Sequence, residues 1–347
     1  MTTSAPNRYL LFCSTGLGDS LFCTPAIRHL RRQDPSGEIV VVVKDKLKNL
    51  FATNPHINHL LSYRNNFLSM WLAGRQIRSQ PYRALFFFHV GGEVVQLIRN
   101  TNYDELHCVQ KLNHLPPNAK LFPIDIRNKR QWEDFADMVS LVCGGTNTDH
   151  EFELPLNQPS RDAAARFYND APNGPWKIGI QLGGSHLGKC WPPKRFAEIA
   201  THLVKEHDAQ LFINATANEH PLWEAFLKAL SPEIRKHVHR LPDTSIIGLA
   251  ALLEELDLFI TNDTGPLHVA LSQNCPVIAL KAHDENTFAY TLPRPTPFRR
   301  SIFVKTDVPT SGQEYRESHR AMEAIPTAVV LRETEDLLRA ISKHRAK

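Results

Sequence analysis

Asp-x-Asp occurs nowhere in the 347 residues, and with it goes the usual two-carboxylate anchor for a divalent ion. Glycine-based nucleotide signatures are missing too. A dinucleotide turn of the form G-x-G-x-x-G needs glycine at Leu21, after Gly16 and Gly18. The following strand ends in Lys44-Asp45 rather than a lone ribose-binding acid, so an NAD site is excluded. No G-x-x-x-x-G-K-[ST] appears, and Gly183-Gly184-Ser185-His186-Leu187 lacks the last glycine of a nucleophile elbow, so ATP-loop and serine-hydrolase chemistry lose their main support. The six cysteines, Cys13, Cys23, Cys108, Cys143, Cys190 and Cys275, form no C-x-x-C pair and no close Cys/His spacing of the metal-ligand kind. They are expected to be reduced and to pack as small hydrophobes, and no metal or cofactor is expected. A net charge of +4 is too small to argue for nucleic acid. No apolar run approaches membrane-spanning length, and the polar N-terminus enters a strand with no signal peptide pattern, so a cytoplasmic protein is expected.

What is present is an alternation of strands and helices in two series. With 42% hydrophobic and 22% charged residues, the chain can supply two domains with their own cores. The first series predicts strand 9–14, helix 19–33, strand 38–43, helix 45–53, an apolar stretch Ala84 to Val90 and a helix around Asp134 to Val142. A polar, proline-bearing passage from Leu154 to Pro175 separates it from the second series. That series predicts strands 177–181, 210–214, 238–241, 256–260 and 276–280, with helices 193–206, 221–230, 245–255 and 266–273 between them. This order implies parallel sheets covered on both faces, an α/β fold of two doubly wound Rossmann-like domains. The expected domains are 1–160 and 161–325, followed by a helical segment 326–347 whose apolar face runs through Val329, Val330, Leu337, Leu338 and Ile341.

Three strand-to-helix junctions carry chemistry. In Asp263-Thr264-Gly265-Pro266-Leu267-His268, Asp263 or Thr264 can cap the helix, Gly265 admits a ligand close to the backbone, and Pro266 suits the first turn. Unpaired N–H groups and the positive end of the helix dipole make that junction an anion site. The loop Gly183-Gly184-Ser185-His186-Leu187-Gly188-Lys189 offers backbone donors and one ammonium, as a diphosphate needs, before Trp191-Pro192-Pro193 leads into a helix; the alternative for Lys189 is a solvated surface lysine. Near the start, Gly16-Leu17-Gly18-Asp19 follows the first strand and places a carboxylate at the mouth of a sheet, where it can be a base or simply the helix N-cap.

Gly16-Leu17-Gly18-Asp19 with Thr24-Pro25, Lys189-Cys190-Trp191-Pro192 before Arg195-Phe196-Ala197-Glu198, and Asp263-Thr264-Gly265-Pro266-x-His268 resemble, in order and spacing, the bacterial heptosyltransferases of glycosyltransferase family 9. The resemblance covers both halves. It implies a glycosyltransferase B fold with two domains facing across a cleft, an ADP-heptose donor, inversion at the anomeric carbon, no metal, and a sugar acceptor on a lipid or comparable glycan. The final helix is then expected to cross back onto the first domain. Asp19 is expected to be the base, with Gly16, Gly18 and His89 on the acceptor side; Gly184, Ser185, Lys189, Glu219, Asp263, Thr264, Gly265 and His268 are expected to hold the donor. Of these, Lys189 and the amides of Thr264 and Gly265 would neutralise the leaving diphosphate, Asp263 would bind sugar hydroxyls and Glu219 the ribose. Glu219 can equally be an acid at a helix start, and His89 a packed core histidine.

Two departures stand out. After strand 276–280 the family pattern is Phe-Gly-Pro-Thr, whereas this chain reads Lys281-Ala282-His283-Asp284-Glu285-Asn286-Thr287; and Phe86-Phe87-Phe88-His89-Val90 replaces an apolar strand ending in an acid or glutamine. Three functions are therefore carried forward: an ADP-heptose transferase, a transferase for another nucleotide sugar, and a non-catalytic sugar-nucleotide binder. The basic cluster Arg28, Arg31, Arg32, Lys44, Lys46 and Lys48 is either a solvated face or a site for an anionic acceptor or lipid headgroups, which would mean peripheral contact with the inner membrane face.

Overall fold

The computed structural model describes residues 6–13, 16–284 and 288–346. Its two compact units are Met1–Pro155 and Leu156–Lys347. In the first, the elements are β1 (Arg8–Phe12), α1 (Leu17–Leu21), α2 (Thr24–Gln33), β2 (Glu38–Lys44), α3 (Lys48–Phe51), β3 (His59–Tyr63), α4 (Phe67–Ile77), β4 (Tyr82–Phe87), α5 (Val94–Leu97), β5 (Tyr103–Cys108), β6 (Ala119–Leu121) and α6 (Gln131–Cys143). All strand pairs are parallel, in the order β3-β2-β1-β4-β5-β6. Ile39 to Val43 in β2 and Leu10 to Phe12 in β1 are all buried, the mark of strands covered on both faces.

The second unit contains α7 (Gln158–Asp170), β7 (Lys177–Gln181), α8 (Pro193–His207), β8 (Gln210–Asn214), α9 (His220–Lys228), α10 (Pro232–Arg235), β9 (Val238–Arg240), α11 (Ile246–Glu254), β10 (Leu258–Asn262), α12 (Gly265–Ser272), β11 (Val277–His283), β12 (Arg299–Lys305), α13 (Gly312–Glu317) and α14 (Thr327–Arg345). Its sheet is also parallel and runs β12-β11-β10-β7-β8-β9. Both sheets thus have the doubly wound order, in which the chain works outward first to one side of the opening strand and then to the other.

Several boundaries differ from the sequence expectation, each for a local reason. The expected helix 19–33 is two helices, because Pro25 cannot continue the α1 ladder and the Thr24 hydroxyl donates to the Leu21 carbonyl at 2.8 Å. The expected strand 256–260 begins later, as β10, since Leu256 N–H closes the end of α11 on the Leu253 carbonyl and Asp257 accepts from Lys177 N–H at 2.7 Å. Asn262 is consequently the last residue of a strand, not part of a loop. The strand expected at 276–280 continues to His283 because β12 pairs along its whole length.

The division between the compact units falls at Pro155 rather than at 160, because α7 packs on α11: Tyr168 donates to the Leu252 carbonyl at 2.8 Å and Arg161 pairs with Glu254. The final helix was expected to lie on the first domain. Its buried residues Val330, Leu337, Leu338 and Ile341 belong to the core of the second unit, where α14 packs on α8.

Candidate active site

Strands β7 and β10 are neighbours, yet the chain leaves them toward opposite edges of the sheet. The crevice beyond their carboxyl ends is the usual ligand position in such a sheet. Asn262, fully buried at the end of β10, organises it: its side-chain amide donates toward the carbonyls of Gln181, Leu182 and Gly183 at 3.1 to 3.3 Å, while its oxygen accepts from Trp191 N–H at 3.0 Å. One side chain therefore ties the glycine loop after β7 to the Trp191 turn. Trp191 is itself buried, and its ring N–H donates to the Ile325 carbonyl. Sequence reasoning missed Asn262; a polar residue ending an apolar strand was the available signal.

The expected anion site has its geometry at α12. Thr264 occupies the N-cap position, but its hydroxyl turns back to the Asn262 carbonyl at 3.4 Å, and no side chain caps the helix. The expectation that Thr264 or Asp263 would cap the helix through a side chain is thus corrected: Asp263 is drawn away by a stronger partner. Its Oδ2 lies 2.7 Å from the Lys281 ammonium and accepts from the Thr291 hydroxyl at 2.7 Å, while Lys281 also donates to Thr291 at 2.9 Å. Buried His268 stands with Nε2 3.9 Å from Asp263 Oδ1. Burial opposes ionisation of Asp263, but Lys281, His268 and Lys189 outweigh it and hold the carboxyl far below the usual range. Lys281 belongs to the segment that departs from the family pattern; Glu285, Asn286 and Thr287 of that segment lie outside the described residues.

Lys189 ends a 3-10 turn, Leu187–Lys189, and is partly buried; among the described residues no carboxylate is within ion-pairing distance of it. Its charge lowers the pKa of His186 further than burial alone. Gly183 and Gly184 let neighbours approach closely: a Cβ on Gly183 would stand 1.5 Å from Glu219 Oε1 and displace that side chain, and one on Gly184 3.1 Å from Thr264 Cγ2. The loop, Glu219 and the start of α12 thereby share one crevice. Glu219 Oε2 accepts from Thr216 N–H at 2.7 Å, closing a capping box, while Oε1 accepts from Gln181 at 3.3 Å. Ser185 is exposed at the rim. Tyr315, which sequence reasoning also missed, crosses over Gly188 and meets the His186 ring edge-on; burial, with Asp263 nearby, pushes its hydroxyl up to about 12.

In the first unit the equivalent crevice lies beyond β1 and β4. Gly16 is the N-cap of α1 and Asp19 its third residue, so Asp19 is not the cap; it sits in the first turn, where the helix dipole favours a carboxylate. Gln131, buried at the start of α6, donates to Asp19 Oδ1 at 3.3 Å, and Gly16 leaves room for Oδ2, which a Cβ there would meet at 3.1 Å. Gly18 lies within α1, and His89, just past β4, bonds Gln110 at 3.1 Å and packs on Phe135. The basic cluster is largely spoken for: Arg28 and Arg32 both bind Asp149, Arg31 binds backbone carbonyls, and Lys44 pairs with Glu93. Lys46 and Lys48 remain exposed.

Two parallel doubly wound units give the chain the glycosyltransferase B fold, shared with solved family 9 structures. Residues 126–298 match glycosyltransferase family 9 (heptosyltransferase). Lipopolysaccharide heptosyltransferase 3 of Escherichia coli is 24% identical over an alignment covering 92% of this chain and 96% of the relative. Among solved structures, a family 9 glycosyltransferase from Veillonella parvula superposes with a TM-score of 0.78 at 19% identity, covering 97% of this chain and 98% of the other. The ADP-heptose lps heptosyltransferase II of E. coli gives 0.76 at 16%, covering 97% and 99%. The chain belongs to glycosyltransferase family 9 and is a heptosyltransferase-like glycosyltransferase. The matched segment contains every residue expected to hold the donor, whereas Asp19 and His89 precede it and Tyr315 follows it.

Proposed function

We propose that this enzyme transfers heptose from ADP-heptose to a hydroxyl of a glycan or lipid-linked sugar, of the lipopolysaccharide core kind, with inversion and without a metal ion. The observation that carries the reading is the start of α12, whose amides meet no side-chain cap and lie in the crevice with the Lys189 and Lys281 ammonium groups and the His268 ring. Such a set suits a diphosphate, and it acts most strongly as charge develops on the departing group. Asp19 takes the proton of the acceptor hydroxyl; the freed oxygen attacks the anomeric carbon, and the bond to the diphosphate breaks with its electron pair leaving on ADP. Lys189 and the amides of Thr264 and Gly265 receive that charge. Asp263 and Glu219 orient the sugar and ribose hydroxyls, with Gly184 and Ser185 lining the loop; Gly16, Gly18 and His89 face the acceptor.

A second reading, transfer from another nucleotide sugar, is favoured by one observation: Lys281 occupies Asp263, the carboxylate expected to bind the donor sugar. A thermal-shift series with ADP-heptose and with ADP, UDP and GDP, alongside turnover in EDTA, tests both. The largest shift is expected with ADP or ADP-heptose, and turnover should persist in EDTA. A larger shift with UDP or GDP would move the assignment to the second reading, and loss of turnover in EDTA would remove the metal-free mechanism.

A further inference from the structure

Well away from the reacting groups, three ligand-type side chains converge where α8 meets α14. His202 and His207 both direct Nε2 at Glu335 Oε1, at 2.8 and 2.6 Å. One ligand atom from each lies within 4.8 Å of the others. The local chain explains the convergence. His207 ends α8, and Asp208 after it adopts a left-handed conformation, φ 49°, that closes the helix on the carbonyls of Leu203 and Val204. His202 lies earlier on the same helix, and the two rings stand 6.1 Å apart at their centroids. Across from them, the arginines flanking Glu335 on α14 turn elsewhere: Arg339 pairs with Asp336 and Arg332 with Glu333. Glu335 is left to the histidines.

We propose that His202, His207 and Glu335 form a binding site for a zinc-type divalent ion that clamps α14 to α8. Two imidazole nitrogens and one carboxylate oxygen are a borderline-soft set that suits Zn²⁺ and disfavours Mg²⁺ and Ca²⁺, which take oxygen ligands. The side chains are 33%, 22% and 27% exposed, so an ion can reach them and a water molecule can complete a tetrahedral shell. An ion here replaces two hydrogen bonds by three coordinate bonds and acts on the folded chain alone, because the ligands come from helices far apart in sequence. The site is separate from the transfer chemistry and does not depend on the donor assignment.

The test is titration of Zn²⁺ into the chelator-stripped, full-length chain by calorimetry, with melting temperature followed in parallel. Saturable binding of one ion per chain and a rise in melting temperature are expected, with no comparable rise from Mg²⁺. Glu335→Gln and His202→Ala should each weaken binding at least about tenfold, the effect of losing even an outer-shell partner. His207→Asn gives an independent reading should either variant fold poorly by circular dichroism. With 17 histidines in the chain, adventitious zinc is the competing explanation. Binding unaltered in all three variants, an equal response to Mg²⁺, or no saturable event would each overturn the proposal and leave a hydrogen-bonded helix staple.

Discussion

A carboxylate serves as a base only if it is aimed at its proton and left able to accept it. Several acids in the first unit are committed to a cation or a hydroxyl: Asp149 to two arginines, Glu93 to Lys44, Asp34 to the Tyr9 hydroxyl. At Asp19, Oδ1 accepts from the Gln131 side-chain amide at 3.3 Å, which orients that oxygen. Asp19→Asn keeps the size of the side chain but cannot take a proton, so transfer should fall by roughly a hundredfold to ten-thousandfold while the fold and donor affinity persist. Paired measurements of turnover and of ADP binding on one preparation check this. Near-native turnover would place the base elsewhere, and loss of donor binding or of folding would make Asp19 structural.

At the scale of elements, the crevice proposed for the donor is held by a strand end more than by a loop. Asn262→Ala removes the donor facing three buried carbonyls and the acceptor of Trp191 N–H, at a cost of about 1–3 kcal/mol for groups left unsatisfied. Asn262→Asp should be worse, since it retains the acceptor but sets a carboxylate against those carbonyls. Denaturant unfolding and ADP titration should rank wild type above Ala above Asp in both stability and affinity; an Asp variant as stable as wild type would show that the loop does not depend on this amide.

The limits of the sequence pattern have the same origin. Strands β7 and β8 were legible to the residue because both faces of each are buried and turn residues bound them. Strands β3, β5 and β12 were not, since His59-Leu60-Leu61-Ser62-Tyr63, Tyr103 to Cys108 and Arg299 to Lys305 are only partly covered and carry polar residues. Gly184, Lys189, Asp263 and Thr264, which lie in the crevice beyond β7 and β10, were legible as motifs at strand ends. Lys281, Asn262, Gln131 and Tyr315 were not, because each acts through a contact with residues distant in the chain.

For the whole molecule, the surface that calls for explanation is α4. Its inward residues Ala73 and Ile77 are buried, yet Phe67, Leu68, Trp71 and Leu72 are 86%, 63%, 47% and 47% exposed and recur at helical spacing along the outer face. Exposed Arg75 lies against the Trp71 ring, and exposed Arg78, Lys46 and Lys48 belong to the same unit. No helix among the described residues is long and apolar enough to cross a membrane. An apolar stripe with a cation at Trp71 suits a helix lying in the interface of an anionic bilayer, the arrangement that the proposed lipid-linked acceptor would call for. Cosedimentation with vesicles containing phosphatidylglycerol should therefore recover the protein, and high salt or neutral phosphatidylcholine vesicles should recover less. The double variant Phe67→Ser, Trp71→Ser should lose most of that binding while still melting cooperatively and still binding ADP, because both side chains are exposed on the first unit and the proposed donor residues belong to the second. Undiminished vesicle binding in the variant would assign α4 to a protein partner instead, a reading that concentration-dependent self-association of the wild-type chain would then favour.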